Sequence, residues 1–221
     1  MTSLWITRTQ PGADRSAALW RQAGFEPIVA PVFEAVAVDG ADPLPDGAVP
    51  VFTSEHGVRF GGSLASGGKA YAVGGTTARA AEAAGFTPVI NADGNVSALA
   101  QRIEKADTVF VHIGGRVVAG DLVGELRERG LRAERRIVYT TRPVAPDPDA
   151  VAAADWVAVY SPSAARTVAA LLPGAWSGTV VALSAACASP FTEPKRRQSV
   201  VVASRPTEAA LIAAAVRAGG A

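Results

Sequence analysis

Four short segments set small hydroxyls and glycine amides where an apolar run gives way to a helical stretch. They are Phe52-Thr53-Ser54, Val73-Gly74-Gly75-Thr76-Thr77-Ala78, Ile113-Gly114-Gly115-Arg116 and Tyr160-Ser161-Pro162-Ser163. Unpaired amides and the positive end of a helix dipole favour an anion at such a turn. The hydroxyls of Thr53, Ser54, Thr77, Ser161 and Ser163 add donors. A single turn of this kind serves equally well as a plain cap, but four facing one cleft would suit a ligand carrying several carboxylates or phosphates. Arg8, Arg116 and Arg166 stand at or just beyond strand ends. A guanidinium there holds a carboxylate through two parallel hydrogen bonds, or simply faces water. Tyr139, in Ile137-Val138-Tyr139-Thr140, is either a weak general acid or a packed strand aromatic.

Other chemistries find less support. His56 and His112 are the only histidines and have no acidic partner at ligand spacing. Cys187 is the single cysteine, so zinc is disfavoured and an internal disulfide is excluded. There is no Walker loop, no Gly-x-Ser-x-Gly elbow and no dinucleotide fingerprint. Ser54 and Ser161 lack an evident base, which argues against a hydrolase triad. A net charge of +1 supplies no field for nucleic acid or a membrane surface. The first residues do not read as a signal peptide, and the apolar run from Ala209 to Val216 is too short to cross a bilayer. A soluble, cytoplasmic monomer is expected.

The elements that must position these residues are written twice, at an offset of about one hundred and six residues. Trp5-Ile6-Thr7-Arg8 aligns with Phe110-Val111-His112-Ile113. Val51-Phe52-Thr53-Ser54 aligns with Ala158-Val159-Tyr160-Ser161, and Val73-Gly74-Gly75-Thr76-Thr77 with Leu183-Ser184-Ala185-Ala186-Cys187. With 49% hydrophobic and 19% charged residues, each copy has material for a core. Short strands alternate with helices, which predicts two doubly wound α/β domains with parallel sheets, three-layer and flavodoxin-like. In the first copy a strand from Leu4 to Thr7 leads to a helix that Asp14 can cap and that stops at Gly24. The charged run from Arg127 to Arg136 reads as a solvated face. Pro-rich connectors at 39–50 and 142–149 separate the units. The extended segments Pro31–Val38 and Val138–Ala145 occupy equivalent places and can pair as a hinge. The pattern leaves open whether each copy folds on itself or the copies exchange their first units.

Ile6-Thr7-Arg8, Phe52-Thr53-Ser54 with Gly57-Val58, Val73-Gly74 with Thr77-Ala78, the Gly-Arg pair before Gly120-Asp121-Leu122, Val138-Tyr139 and Tyr160-Ser161-Pro162-Ser163 occur in an order that resembles the uroporphyrinogen-III synthase family over almost the whole chain. The resemblance implies one domain from 1–37 with 142–221 and another from 38–141, joined by a two-stranded hinge. It implies ring closure of hydroxymethylbilane to uroporphyrinogen III, with loss of water and inversion of ring D, without metal or organic cofactor. Tyr139 matches the family's hinge tyrosine and becomes the candidate proton donor. Arg8, Thr53, Ser54, Gly74, Thr77, Gly115, Arg116, Ser161, Ser163 and Ser184 become candidate substrate contacts. The chain departs from the family at Cys187, where Thr is usual, and at Ser184, which replaces a glycine. A non-catalytic two-domain receptor for a small polyanion is the competing expectation.

Overall fold

A computed structural model describes residues 1–65, 67–118, 120–192 and 198–219. The chain divides into two compact units, unit 1 of Met1–Glu34 with Arg142–Ala221 and unit 2 of Ala35–Thr141. In order it forms β1 (Thr2–Ile6), α1 (Gly12–Gln22), β2 (Phe25–Val29), β3 (Phe33–Ala37), β4 (Val49–Phe52), α2 (Glu55–Gly61), β5 (Gly68–Ala72), α3 (Gly75–Ala83), β6 (Phe86–Asn91), α4 (Val96–Arg102) and β7 (Val109–Gly115). There follow α5 (Leu122–Glu128), β8 (Arg132–Pro143), α6 (Pro148–Ala152), β9 (Trp156–Val159), α7 (Pro162–Leu171), β10 (Thr179–Ala182), α8 (Ala185–Ala188), β11 (Ser199–Val202) and α9 (Glu208–Arg217).

Unit 1 carries a five-stranded sheet in the order β11-β10-β9-β1-β2, with every adjacent pair parallel. Strand alternation sends Leu4 and Ile6 to one face and Trp5 to the other. The first face packs with Trp20 of α1 and Leu211 of α9, the second with Val168 of α7 and Phe191. All these side chains are buried. Asp155, just before β9, accepts hydrogen bonds from the Ser3 amide (3.0 Å) and hydroxyl (2.7 Å), pinning β1 to its neighbour. Those bonds hold the Asp155 carboxyl below its ordinary pKa.

Unit 2 carries the sheet β3-β8-β7-β4-β5-β6, parallel from β8 through β6. Val51, Tyr71 and Phe110 pack with Leu99 of α4 and Leu122 of α5. Phe52, Val111 and Val138 pack with Val58 of α2 and Ala81 of α3 on the opposite face. Helices therefore cover both faces of each sheet, the doubly wound arrangement expected from the alternation of strands and helices.

The sequence repeat reappears in the sheets. β7, β8, β4, β5 and β6 take the places in unit 2 that β1, β2, β9, β10 and β11 take in unit 1. The two copies have exchanged their first units: β1 and β2 complete the sheet of the second copy, and β7 and β8 that of the first. The chain passes between units through β3 and β8. These strands pair where the Val38 amide donates to the Val138 carbonyl (3.0 Å), and the Val144 amide donates to the Val32 carbonyl (3.1 Å).

Two local expectations resolve differently. Gly24 follows α1 with φ of 92°, as a helix stop requires. Asp14, however, does not cap that helix. The helix begins two residues earlier, at Gly12, and Asp14 sits inside its first turn, where its carboxylate accepts from the Gln10 side chain at 2.7 Å.

Candidate active site

In an open α/β sheet the ligand crevice lies beyond the carboxyl ends of strands where the order of winding reverses. In unit 2 that place is between β4 and β7, and a cavity of about 390 Å³ opens there. Thr53 and Ser54 leave the end of β4, Gly115 ends β7, and Tyr139 reaches in from β8. Asn95 and Val96, at the start of α4, form part of the wall. None of the residues described along the wall is acidic, which suits an anionic occupant.

Each polar group has a defined anchor. Ser54 is the N-cap of α2, its Oγ accepting from the Gly57 amide at 3.2 Å, and the same oxygen lies 2.9 Å from the Tyr139 hydroxyl. The Tyr139 ring stacks on Phe60 at 5.8 Å and meets His56 at 5.3 Å. Its height along β7 is set by a bulge between Gly114 and Gly115, which pairs Tyr139 with Gly115. A Cβ at Gly115 would stand 2.7 Å from the phenol ring, so any larger residue here requires the tyrosine ring to shift. Thr53 Oγ1 lies 2.8 Å from His112 Nε2. His112 is buried, and its pKa falls to about 4, first from burial, then from the Arg135 charge, against an opposing contribution from Asp121. The imidazole is therefore neutral at ordinary pH.

Arg135 belongs to the run expected to be a solvated face. Its guanidinium instead donates to the Gly115 carbonyl and, at 2.9 Å, to the Arg116 carbonyl, bracing the loop after β7. Arg116 itself is exposed. Gly74, extended with φ of −162°, precedes α3, and Thr77 is buried in that helix's first turn. These two lie one strand further along the sheet.

At the corresponding strand ends of unit 1, β9 and β1, polar side chains pair with one another. Arg8 Nη1 lies 3.3 Å from the Glu208 carboxylate and 3.2 Å from the Ser16 hydroxyl, with its guanidinium over the Tyr160 ring at 4.8 Å. The Tyr160 hydroxyl accepts from the Trp20 indole at 2.9 Å and donates to Glu208 at 3.3 Å. Burial and the Glu208 charge raise its pKa. Ser161 caps α7 and lies 3.2 Å from the Ser163 hydroxyl. Ser184 caps α8 and donates to the Cys187 sulfur at 3.3 Å. An apolar groove of about 520 Å³ between α1 and α9 has Arg217 as its one polar wall residue among those described. It offers no comparable chemistry. Among the described residues, no group of three or more His, Cys, Asp and Glu side chains is placed to hold a metal.

The family model described as uroporphyrinogen-III synthase HemD matches residues 14–213. The chain belongs to the uroporphyrinogen-III synthase family. Two solved uroporphyrinogen-III synthases share its fold. The Helicobacter pylori structure is 15% identical, with a TM-score of 0.64 over 99% of this chain and 100% of its own. A mutant Thermus thermophilus structure is 19% identical, with a TM-score of 0.51 over 99% and 98%. No curated protein gives a significant match. Within the uroporphyrinogen-III synthase fold, the structure brings Thr53, Ser54, Gly115 and Tyr139 to one cavity. Arg8, Ser161, Ser163 and Ser184 all belong to unit 1, as do the partners described for them above. Asn95, Arg135 and His112 lie outside the set that the sequence marks for substrate contact. The one advance signal for His112 was a lone polar residue inside the apolar strand Val109–Ile113.

Proposed function

We propose that this chain is a uroporphyrinogen-III synthase, a cyclising carbon–oxygen lyase of tetrapyrrole biosynthesis that converts hydroxymethylbilane to uroporphyrinogen III. The observation that carries this reading is the Ser54–Tyr139 pair at the wall of a non-acidic cavity, in a chain that belongs to the family.

The chemistry needs little from side chains. The lone pair of a pyrrole nitrogen expels the terminal hydroxyl, and Tyr139 supplies the proton that lets it leave as water. The resulting azafulvene carbon is attacked by the substituted carbon of ring D. The spiro intermediate reopens and recloses with that ring inverted, and loss of a ring proton restores the pyrrole. Unassisted closure gives the symmetric isomer, so the protein's task is conformational selection. Favouring one closure a hundredfold requires about 2.7 kcal/mol of differential transition-state stabilisation. Hydrogen bonds from Thr53, Ser54 and the amides near Gly115 are of the right size to supply it. We assign Gly74, Thr77, Arg116, Arg8, Ser161, Ser163 and Ser184 to other carboxylates of the substrate. At Arg8 a substrate carboxylate would have to displace Glu208.

Domains of 1–37 with 142–221 and 38–141, a cytoplasmic location, a monomeric state and independence from nucleic acid complete the proposal. Among the described residues no helix is long and apolar enough to cross a membrane.

Incubation with freshly prepared hydroxymethylbilane, oxidation and resolution of the porphyrin isomers tests the reading. Isomer III is expected; the symmetric isomer alone would turn the assignment back to a polyanion receptor. Tyr139→Phe is expected to lower kcat about a hundredfold while still yielding isomer III, the low end of the share of a single general acid. An unchanged kcat would leave Tyr139 a packing role.

A further inference from the structure

His112 does not belong to the expected set of substrate contacts, yet it has the geometry of a working residue. It is buried in the middle of an apolar strand, where an unbonded imidazole would be costly. Its Nε2 is spent on Thr53, and both side chains reach the cavity. The backbone makes room for it: a Cβ at Gly114 would stand 2.9 Å from His112 Nε2. Thr53 comes from β4 and His112 from β7, the two strands that flank the crevice, with Val51 opposite His112 in the register.

A threonine hydroxyl has one proton and two acceptor positions. An anion in the cavity draws that proton toward itself, and the Thr53 oxygen then needs a donor behind it. Neutral His112 protonated at Nε2 is such a donor. Burial first, and then Arg135 beside the ring, discourage a second proton, so the imidazole stays a neutral relay rather than an added charge.

We propose that His112 is a positioning residue for substrate recognition: its Nε2–H donates to Thr53 Oγ1, which in turn donates to a carboxylate of the tetrapyrrole bound in the unit 2 crevice. This rests on the proposed function for the identity of the carboxylate, but the direction of the hydrogen-bond chain can be tested without catalysis.

The test combines kinetics with spectroscopy. With hydroxymethylbilane as substrate, His112→Leu is expected to raise KM about tenfold with kcat within about twofold, and His112→Gln, which keeps an N–H, to recover most of that loss. In a double-mutant cycle His112→Leu with Thr53→Val should be little worse than Thr53→Val alone. Equal damage from Leu and Gln, or fully additive effects, would make His112 a packing residue and overturn the proposal. Nitrogen-15 NMR of the wild-type chain with uroporphyrin III as a carboxylate probe should show His112 protonated at Nε2. The Nδ1-protonated tautomer in that complex would overturn the proposal even if His112→Leu fails to fold. If the wild type forms only the symmetric isomer, the proposed function falls, and the NMR result still decides the hydrogen-bond chain.

Discussion

Gly114 and Gly115 decide how near two polar side chains can come to the backbone of β7. The missing methyl at Gly115 leaves the space that the Tyr139 ring occupies. Gly115→Ala should push the phenol off Ser54 and lower kcat about tenfold with little change in KM, read from initial rates; an unchanged kcat would mean the ring has room to yield. His112 yields a second prediction. Its folded pKa of about 4 lies below the ordinary 6.5, so between those values the unfolded chain binds a proton that the folded chain refuses. Stability therefore falls as pH drops from 6.5 toward 4, by about 3 kcal/mol over the window, and levels off below it. Denaturant unfolding at pH 7 and pH 4 should show that loss in the wild type and a loss smaller by about this amount in His112→Gln. Tyr139 was legible in the sequence as a lone phenol beside a connector. The Thr53–His112 contact was not, because it joins strands that are adjacent in space and far apart in the chain.

Short helices here are started by side chains that then do a second task. Ser54 both caps α2 and holds the phenol. Ser54→Ala should cost about 1 kcal/mol of stability through the lost cap, a drop of a few degrees in Tm, and should also slow turnover. A fall in Tm with unchanged kcat would separate the two roles. The turns at Ser54, Ser161 and Ser184 were readable from their sequence form, since an apolar run followed by Ser and a small-residue helix has few alternatives. The charged run from Arg127 to Arg136 is only in part the solvated face expected, since Arg127, Arg129 and Arg132 are exposed while Arg135 and Arg136 are half-buried. Alternating charge describes a face but does not reveal which carbonyls lie in reach. Arg129 donates to the Ile103 carbonyl at 3.0 Å and Arg127 to the Ala133 carbonyl at 3.0 Å, while Arg135 braces the loop after β7. Backbone acceptors carry no sequence signal, so this bracing could be seen only in the fold.

At the scale of the molecule, the duplication predicted two sheets of like construction, and the strand orders of the two units are equivalent apart from the added β3 in unit 2. The repeat alone leaves the exchange of first units open, because a strand finds the same local pattern in either copy; the family resemblance is what implied it. It has a direct consequence for integrity. Removing residues 1–30 would strip β1 and β2 from their sheet, leaving β9 as an unpaired edge whose Trp156, Val157, Ala158 and Val159 are all buried in the intact chain. Such a variant should be largely insoluble on expression, as measured by the soluble fraction, since a flat apolar edge invites pairing with other chains.

The same exchange sets a timetable on the ribosome. β1, with Leu4, Trp5 and Ile6 destined for complete burial, emerges long before its neighbour β9, which begins only at Trp156. Every strand of the unit 2 sheet has been made by Pro143. That sheet can close while the β1-α1-β2 segment still waits with one side of β1 unpaired. This polypeptide therefore shows a greasy, half-paired strand to its surroundings during most of its synthesis, a natural point of engagement for chaperones.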